Sequence, residues 1–267
     1  MRFPSYPLIT VDPYFSIWSN TDKLYDSDTM LWCGIKKRIK GLVSVDGETF
    51  RFMGKGKENA INQTSVDVSA YFTDYTFENE KIKLCVKFWT PLILDDLQLM
   101  SLPCSYIDCS YTSADGNAHE VSVKIVADKE LAYDGKEKKL IFRTEQYNGF
   151  TLAVMGQKNQ KPLSESGDTI SADWGYIYGL GGDCSADDNI TLKQKLSENI
   201  SSTFILAFDD IYSIEYFGEQ LKGLWTEKFA DVKDAIIYCA ENRDELYSRL
   251  LSQQDKIMND SASFGKE

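Results

Sequence analysis

Histidine is nearly absent from this sequence, because His119 is its single copy among 267 residues. A Ser-His-Asp or Cys-His catalytic arrangement would have to use that residue, and no Gly-x-Ser-x-Gly or reactive-cysteine motif accompanies it. One histidine without a Cys-x-x-Cys pair also provides no zinc-cluster spacing and no His-Glu-x-x-His motif. We therefore predict no catalytic residue, no metal site and no cofactor, and we interpret His119 as a solvated loop residue.

Basic residues are also in the minority, since 29 Lys and Arg stand against 41 Asp and Glu, for a net charge of -12. An acidic surface repels phosphate backbones, which argues against nucleic acid as a partner. No apolar run reaches the roughly 18 residues of a membrane span, so no membrane partner is expected. The start of the chain lacks the apolar run of a secretory signal. This favours a cytoplasmic location if Met1 is native, and a secreted or periplasmic one if a leader has been removed.

The six cysteines are scattered along the chain. Their even number permits disulfides, but their spacing matches no small secreted scaffold, and a core of this size does not require them. We predict reduced, mostly buried thiols. Pairing of Cys104 with Cys109 stays open at this point.

What the sequence has in abundance is the pattern of β-strands. Residues 81–89 alternate cleanly, with Ile82, Leu84, Val86 and Phe88 on one face and three lysines on the other. Asp46-Gly47 and Asn148-Gly149 each separate two such runs and predict tight hairpin turns. Repeated along the chain, this pattern gives roughly a dozen strands before residue 208.

The apolar period then changes from two residues to about 3.6. Ile214, Phe217, Leu221 and Leu224 recur at helical spacing, and residues 232–240 carry a second apolar stripe. A third helix is predicted after Asn242, which would act as its N-cap. These stripes require a cover, either the back of the sheet or another domain.

This order predicts a mainly β fold, a large antiparallel β-sandwich followed by a short C-terminal helical segment. We assign residues 1–208 to the sandwich, with residues 1–60 as its motif-rich part, and residues 209–267 to a helical linker. The acidic doublets Asp95-Asp96, Asp187-Asp188 and Asp209-Asp210 are interpreted as turn or capping residues, because neighbours on a strand point to opposite faces. In particular, Asp209-Asp210 is expected to cap the first helix of the tail.

Several segments of the chain together resemble the opening of the glutaminase A-like family of large, multidomain bacterial and fungal proteins. They are PLITVDPYFSIWS (7–19), LYDSDTMLWCGIKKRIKGLVSVDGETFRFMG (24–54), Phe88-Trp89-Thr90-Pro91, Asp173-Trp174-Gly175-Tyr176 and Asp210 to Gly218. The resemblance implies a supersandwich-like amino-terminal domain, followed by a helical domain related to six-hairpin glycosidases. It also implies that the whole protein hydrolyses L-glutamine to L-glutamate and ammonia.

From this resemblance and the missing catalytic motifs we expect a noncatalytic domain that packs on a downstream helical domain of the same polypeptide. A small-molecule substrate, glutamine or a glycan, would then lie in the interdomain cleft. Trp32, Trp174 and Tyr176 are the candidates for ligand or interdomain contacts. The alternative is a carbohydrate-binding sandwich or an accessory domain of a glycoside hydrolase-like protein, which predicts a flat, exposed row of aromatic residues. A self-contained hydrolase would instead bring carboxylates together in a deep pocket.

Overall fold

The computed structural model describes residues 3–164, 171–262 and 264–265. The first nine strands are β1 (Tyr6–Asp12), β2 (Phe15–Ser19), β3 (Met30–Leu31), β4 (Ile39–Val45), β5 (Glu48–Met53), β6 (Asn62–Val68), β7 (Phe72–Glu78), β8 (Ile82–Trp89) and β9 (Cys104–Ser113). The next nine are β10 (Val121–Ala127), β11 (Leu140–Tyr147), β12 (Phe150–Gln157), β13 (Tyr176–Leu180), β14 (Asp183–Ala186), β15 (Ile190–Leu196), β16 (Ser202–Asp209), β17 (Ile214–Tyr216) and β18 (Glu219–Leu221).

Helices are few, and the longer ones come at the end of the chain. They are α1 (Leu97–Met100), α2 (Val232–Glu241) and α3 (Arg243–Ala262), with short 3-10 helices at Lys129–Ala132 and Leu224–Glu227. The prediction of a mainly β fold with a short C-terminal helical segment is confirmed. The end of the predicted linker, at Ser263, Lys266 and Glu267, lies outside the described residues.

An eight-stranded antiparallel sheet forms the middle layer, in the order β11-β12-β13-β16-β9-β8-β7-β6. A five-stranded sheet, β14-β15-β10-β4-β5, and a three-stranded sheet, β1-β2-β3, contribute to the apolar core on one face of this layer. The opposite face of the middle layer packs against α1, α2, α3 and the 3-10 helix at Leu224–Glu227. The central strands of the eight-stranded sheet, β9 and β16 among them, are therefore buried on both faces, by strands on one side and by helices on the other.

Both predicted hairpin turns form as the sequence indicated. Asp46 and Gly47 have φ of 50° and 87° between β4 and β5, and Asn148 and Gly149 have φ of 47° and 82° between β11 and β12. Positive φ at both central residues matches the right-handed twist of the flanking strands, and Asn, Asp and Gly tolerate it best. These turns fix the register of the outer strands.

The first predicted helix of the tail does not form, and that prediction was wrong. Residues 214–221 instead make the two-stranded hairpin of β17 and β18, in which Ile214 lies opposite Leu221. Phe217 and Gly218 turn the chain with φ of 50° and 86°. The spacing of seven residues between Ile214 and Leu221, which imitates two helical turns, arises here from cross-strand pairing.

The remaining tail helices cover the back of the eight-stranded sheet. Ala235, Ile236 and Cys239 of α2 and Leu246 and Leu250 of α3 are buried in the same cluster as residues of β9, β13 and β16. Asn242 marks the boundary between α2 and α3 as predicted, but its amide nitrogen donates back to the carbonyl oxygen of Tyr238, 2.9 Å away. It therefore serves as the C-cap of α2.

All six cysteines are free thiols. Cys104 and Cys109 lie on opposite faces of β9, since Cys104 belongs to the helix-side core and Cys109 to the strand-side core. An odd spacing along a strand places side chains on different faces, so these two thiols do not pair. The neighbour of Cys104 is Cys239 of α2, and burial raises the pKa of the Cys104 thiol well above its usual value.

Candidate functional site

The most prominent cavity, of about 700 Å³, opens where the first β-turn of the chain meets the start of the tail. It is lined by Val11, Asp12, Pro13, Tyr14, Trp32, Ser101, Pro103, Phe208, Asp210, Ser213, Ile214, Gly223 and Trp225. We call it the Asp12 pocket. Its volume lies within the roughly 300–1,000 Å³ typical of small-molecule sites.

One wall of the Asp12 pocket is the turn between β1 and β2. Asp12 Oδ1 accepts hydrogen bonds from the backbone N-H groups of Tyr14, at 2.7 Å, and Phe15, at 2.9 Å. An aspartate that accepts from its own following backbone closes a tight turn, and Pro13 fixes φ within that turn. The turn ends β1 at Asp12 and lets β2 begin at Phe15.

The opposite wall begins at the end of β16, with Asp210. This residue is 8% exposed, and its neighbour Ile211 has a φ of 63°. A left-handed backbone is unfavourable for a β-branched side chain, and such strain persists only where the surrounding structure enforces it. The Asp209 carboxylate accepts from the Ile211 N-H, 3.0 Å away. The doublet therefore shapes a strained turn, and the prediction that it caps a helix was wrong.

Burial raises the pKa values of both carboxyl groups of the pocket. Desolvation and the nearby charge of Asp210 raise the pKa of Asp12 from 3.8 to about 7. Burial likewise raises the pKa of Asp210, while a hydrogen bond from Ser213 opposes the rise. Two like charges in one poorly solvated pocket resist simultaneous ionisation. Near neutral pH the pair is consequently poised to hold a proton.

The three candidate contact residues from the sequence occupy different environments. Trp32 is 54% exposed, lines the Asp12 pocket and donates its indole N-H to the carbonyl oxygen of Pro13 at 2.8 Å. Trp174 is 0% exposed and packs edge-on against Tyr14, with ring centroids 4.9 Å apart. It supports the wall of the pocket and has no surface of its own for a ligand. Tyr176 is half-buried beside the Arg143 guanidinium and is not among the lining residues.

Two of the exposed apolar side chains, Trp32 and Ile214, line the pocket, and further ones lie nearby in the sequence. Most of them lie on the hairpin of β17 and β18 and in the residues that follow it. We define the hairpin surface as Trp32, Ile214, Tyr216, Phe217, Leu221 and Leu224, all of which are exposed. Tyr216 and Phe217 meet edge-on, at an interplanar angle of 73°, so they do not form a flat stacking row. This geometry resembles a protein-contact surface more than a sugar platform.

His119 does not line this pocket, and it is not freely solvated, contrary to our expectation. Its two ring nitrogens each lie 2.9 Å from a carboxylate oxygen, of Asp46 and of Asp115. Hydrogen bonds to these carboxylates raise the pKa of His119. The histidine therefore links two turns at the edge of the sandwich, which is a structural role.

The turn between β14 and β15, which contains the doublet Asp187-Asp188, is also held by local bonds. Asn189 accepts from the Lys129 backbone N-H, and Asp188 pairs with the Lys129 ammonium at 3.3 Å. Within the described ranges, no group of three His, Cys, Asp or Glu side chains is arranged to hold a metal ion. Among the helices that the structure describes, none has both the length and the hydropathy needed to span a bilayer.

Two domain families and one characterised protein are similar to this chain. Residues 1–66 match the domain of unknown function DUF4964, and residues 72–193 match the domain of unknown function DUF5127. Glutaminase A from Aspergillus oryzae (strain ATCC 42149 / RIB 40) is 29% identical over 189 residues, which is 66% of this chain. The chain resembles the N-terminal region of a glutaminase A-like protein. The expected family resemblance is thereby confirmed.

The aligned region covers only 27% of the length of that glutaminase A. Most of the relative therefore lies outside the part that matches this chain. The two domain matches also divide the Asp12 pocket, since Asp12, Tyr14 and Trp32 lie in the first matched segment, whereas Asp210 and Trp225 follow the second. The pocket joins the start of the family-matched region to the tail.

Sequence reasoning identified Trp32 but missed the pocket that it lines. Asp12 was not singled out, and Asp210 was assigned to a helix cap. The available signal was the Asp12-Pro13 pair, because an aspartate before proline often initiates a turn. Nothing in the sequence indicated that residues 198 positions apart, Asp12 and Asp210, would share one cavity.

Proposed function

We propose that this chain is the noncatalytic N-terminal β-sandwich region of a glutaminase A-like protein and that it docks on a helical domain of the same polypeptide. Residues 1–208 would form the sandwich, and residues 209–267 would lead towards that domain. By resemblance, the complete protein would hydrolyse L-glutamine to L-glutamate and ammonia. The Asp12 pocket would then form one wall of an interdomain cleft.

The observation that supports docking is the hairpin surface. Phe217 is 92% exposed at the tip of a hairpin whose other apolar side chains also face solvent. Soluble monomers rarely leave such a cluster uncovered, and contiguous apolar surface of this kind is typical of contact sites. This chain aligns with only 27% of the length of the glutaminase A relative. A further domain of the same polypeptide, equivalent to the rest of that relative, would be the partner that covers this surface.

The chemistry of the described residues supports a noncatalytic role. An amide hydrolase needs a positioned nucleophile or activated water together with an oxyanion stabiliser. The Asp12 pocket offers two carboxyl groups and the hydroxyls of Ser101 and Ser213, but its lining contains no Lys, Arg or His. The lone histidine is bound to Asp46 and Asp115. We accordingly assign glutamine hydrolysis to the complete protein.

The first experiment is an assay of ammonia release from L-glutamine. It compares this 267-residue chain with the complete polypeptide that its gene encodes. We expect activity in the complete polypeptide and none in the chain alone. Turnover by the chain alone would overturn the noncatalytic assignment, and inactivity of both would remove support for glutaminase activity.

A matched pair of substitutions tests the docking surface directly. Ile214→Ser changes the hairpin surface, and Ile200→Ser changes an isoleucine of similar exposure, 59% against 54%, before the opposite end of β16. In the complete polypeptide, Ile214→Ser should accelerate proteolytic separation of the domains, because it weakens an apolar interface. Ile200→Ser should leave the cleavage rate unchanged. Equal rates for the two variants would contradict docking through this surface.

A further inference from the structure

The charged side chains that line the Asp12 pocket are all acidic. It presents two carboxyl groups and two serine hydroxyls, together with aromatic side chains, and none of its lining residues carries a positive charge. A ligand that complements this set must donate hydrogen bonds, and burial favours one that also carries the opposite charge. The pocket therefore selects by charge as well as by shape.

The hydrogen bonds of the two carboxyl groups leave room for such a ligand. Both backbone donors to Asp12 reach the same oxygen, Oδ1, and no donor among the described residues reaches Oδ2, which is the oxygen available to a bound molecule. The Ser213 hydroxyl acts on Asp210 by opposing the rise in its pKa. Backbone N-H groups and a serine hydroxyl carry no net charge, so they cannot neutralise the two carboxylates. A cation bound between the two groups would relieve their mutual repulsion.

The aromatic walls indicate that the cation is organic. Tyr14, Trp32 and Trp225 line the pocket with Phe208. Trp32 is held in place by its hydrogen bond to Pro13, and Tyr14 is supported by Trp174. Aromatic faces attract ammonium groups through their quadrupole and also remove apolar carbon from water. A hydrated metal ion would use neither property.

We propose that the Asp12 pocket is a binding site for a small organic cation that carries a protonated primary amine. The ammonium group lies between Asp12 and Asp210, and the carbon skeleton packs against Trp32, Tyr14 and Trp225. This inference goes beyond the proposed function, because it concerns binding by the chain itself and holds whether or not a second domain docks. The volume of about 700 Å³ accommodates a ligand larger than a simple ion.

The test is calorimetric titration of the 267-residue chain with two probes of nearly the same shape. Benzylamine is protonated at neutral pH and benzyl alcohol is neutral, so the pair isolates the charge. We expect benzylamine to bind at least about ten-fold more tightly, since a charge-assisted hydrogen bond contributes roughly this factor. Equal affinity for the two probes would overturn the proposal. If a neutral sugar, methyl glucoside, bound more tightly than benzylamine, the proposal would be overturned in favour of a carbohydrate-binding sandwich.

Because the whole chain is acidic, non-specific attraction of cations has to be separated from the pocket. Asp210→Asn and Asp187→Asn each remove one negative charge, but Asp210 lines the pocket, whereas Asp187 is exposed and does not line it. Asp210→Asn should weaken benzylamine binding roughly ten-fold, and Asp187→Asn should change it less than about two-fold. Similar losses in both variants would show general electrostatic attraction and refute a defined site. Circular dichroism of each variant confirms that the fold is retained.

A proton-release measurement provides an independent readout. Tyr14 and Asp209 are the other titratable groups that interact with the pair, and the charges of Asp231 and Lys222 act in turn on Asp209. At about pH 7 an ammonium ion should displace a fraction of a proton from the carboxyl pair, so the observed enthalpy should depend on the ionisation enthalpy of the buffer. Benzyl alcohol should show no such dependence. Benzylamine binding without proton release would place the cation elsewhere.

Discussion

Two parts of the C-terminal tail carry similar apolar residues and end in opposite environments. The hairpin of β17 and β18 exposes Ile214, Phe217 and Leu221, whereas α2 buries Ala235, Ile236 and Cys239 against the eight-stranded sheet. Both segments have apolar residues at intervals that suggest a helix. Among the described residues, only the second segment finds its cover.

This difference shows that the spacing of apolar residues does not by itself predict whether a segment is buried or which element packs on it. In α2 the stripe faces β9 and β16, and Tyr106 donates its hydroxyl to the Cys239 carbonyl oxygen, 2.9 Å away. In the hairpin, backbone pairing satisfies the polar groups, but no layer lies over the side chains of the described residues. The first arrangement builds a core, and the second leaves a surface for contact.

The largest expected effect comes from the same truncation made in both segments. Ile236→Ala removes a side chain that is 0% exposed and should lower the free energy of unfolding by about 2–5 kcal/mol. Ile214→Ala removes a side chain that is half exposed and should change stability by less than about 0.5 kcal/mol. Urea unfolding of the two variants measures both values. Equal destabilisation would mean that the hairpin is covered in solution.

A second prediction uses pH to examine the pocket beside the hairpin. Because the folded pKa of Asp12, about 7, lies above its ordinary value of 3.8, this residue contributes stability that is present at low pH and lost as the pH rises through about 7. Asp12→Asn removes this titration and keeps an acceptor for the turn. The variant should match the wild type near about pH 4 and be more stable near about pH 8.5, by at most about 4 kcal/mol.

Thermal unfolding across this pH range gives the measurement. Asp187→Asn, which removes an exposed carboxylate far from the pocket, is the matched control and should show a flat difference from the wild type. Since Asp210 and Tyr14 titrate in the same surroundings, their variants help to assign the transition. A pH-independent difference for Asp12→Asn would show that Asp12 is ordinarily solvated.

The third and smallest effect concerns the polar attachment of α3 to the sheet. Asp108 is buried and accepts from Trp89, Thr203 and Arg243. Arg243→Met should cost roughly 2 kcal/mol, since it leaves a buried carboxylate without its countercharge. The comparison is Lys195→Met, which breaks a fully exposed pair with Glu120 and should leave the free energy of unfolding nearly unchanged, because solvent screens such a pair. Chemical denaturation distinguishes them, and equal costs would show that Asp108 is stabilised by its neutral donors alone.

Sequence by itself determined the local features of this protein. Alternation in residues 81–89 and the turns at Asp46-Gly47 and Asn148-Gly149 specify strands and hairpins because side-chain period and positive φ are local properties. The family resemblance also followed from linear motifs. The start of α3 after Asn242 was correct for the same reason, since helix signals span only a few residues.

Only the tertiary structure decided which surfaces meet. It buried Trp174 beneath Tyr14, placed α2 against β9 and β16, and left the hairpin of β17 and β18 exposed, although each of these segments is apolar in sequence. It also brought Asp12 and Asp210 into one cavity, where burial and mutual repulsion raise the pKa of Asp12. Desolvation and charge proximity depend on the three-dimensional neighbours of a group, so no linear pattern reveals them.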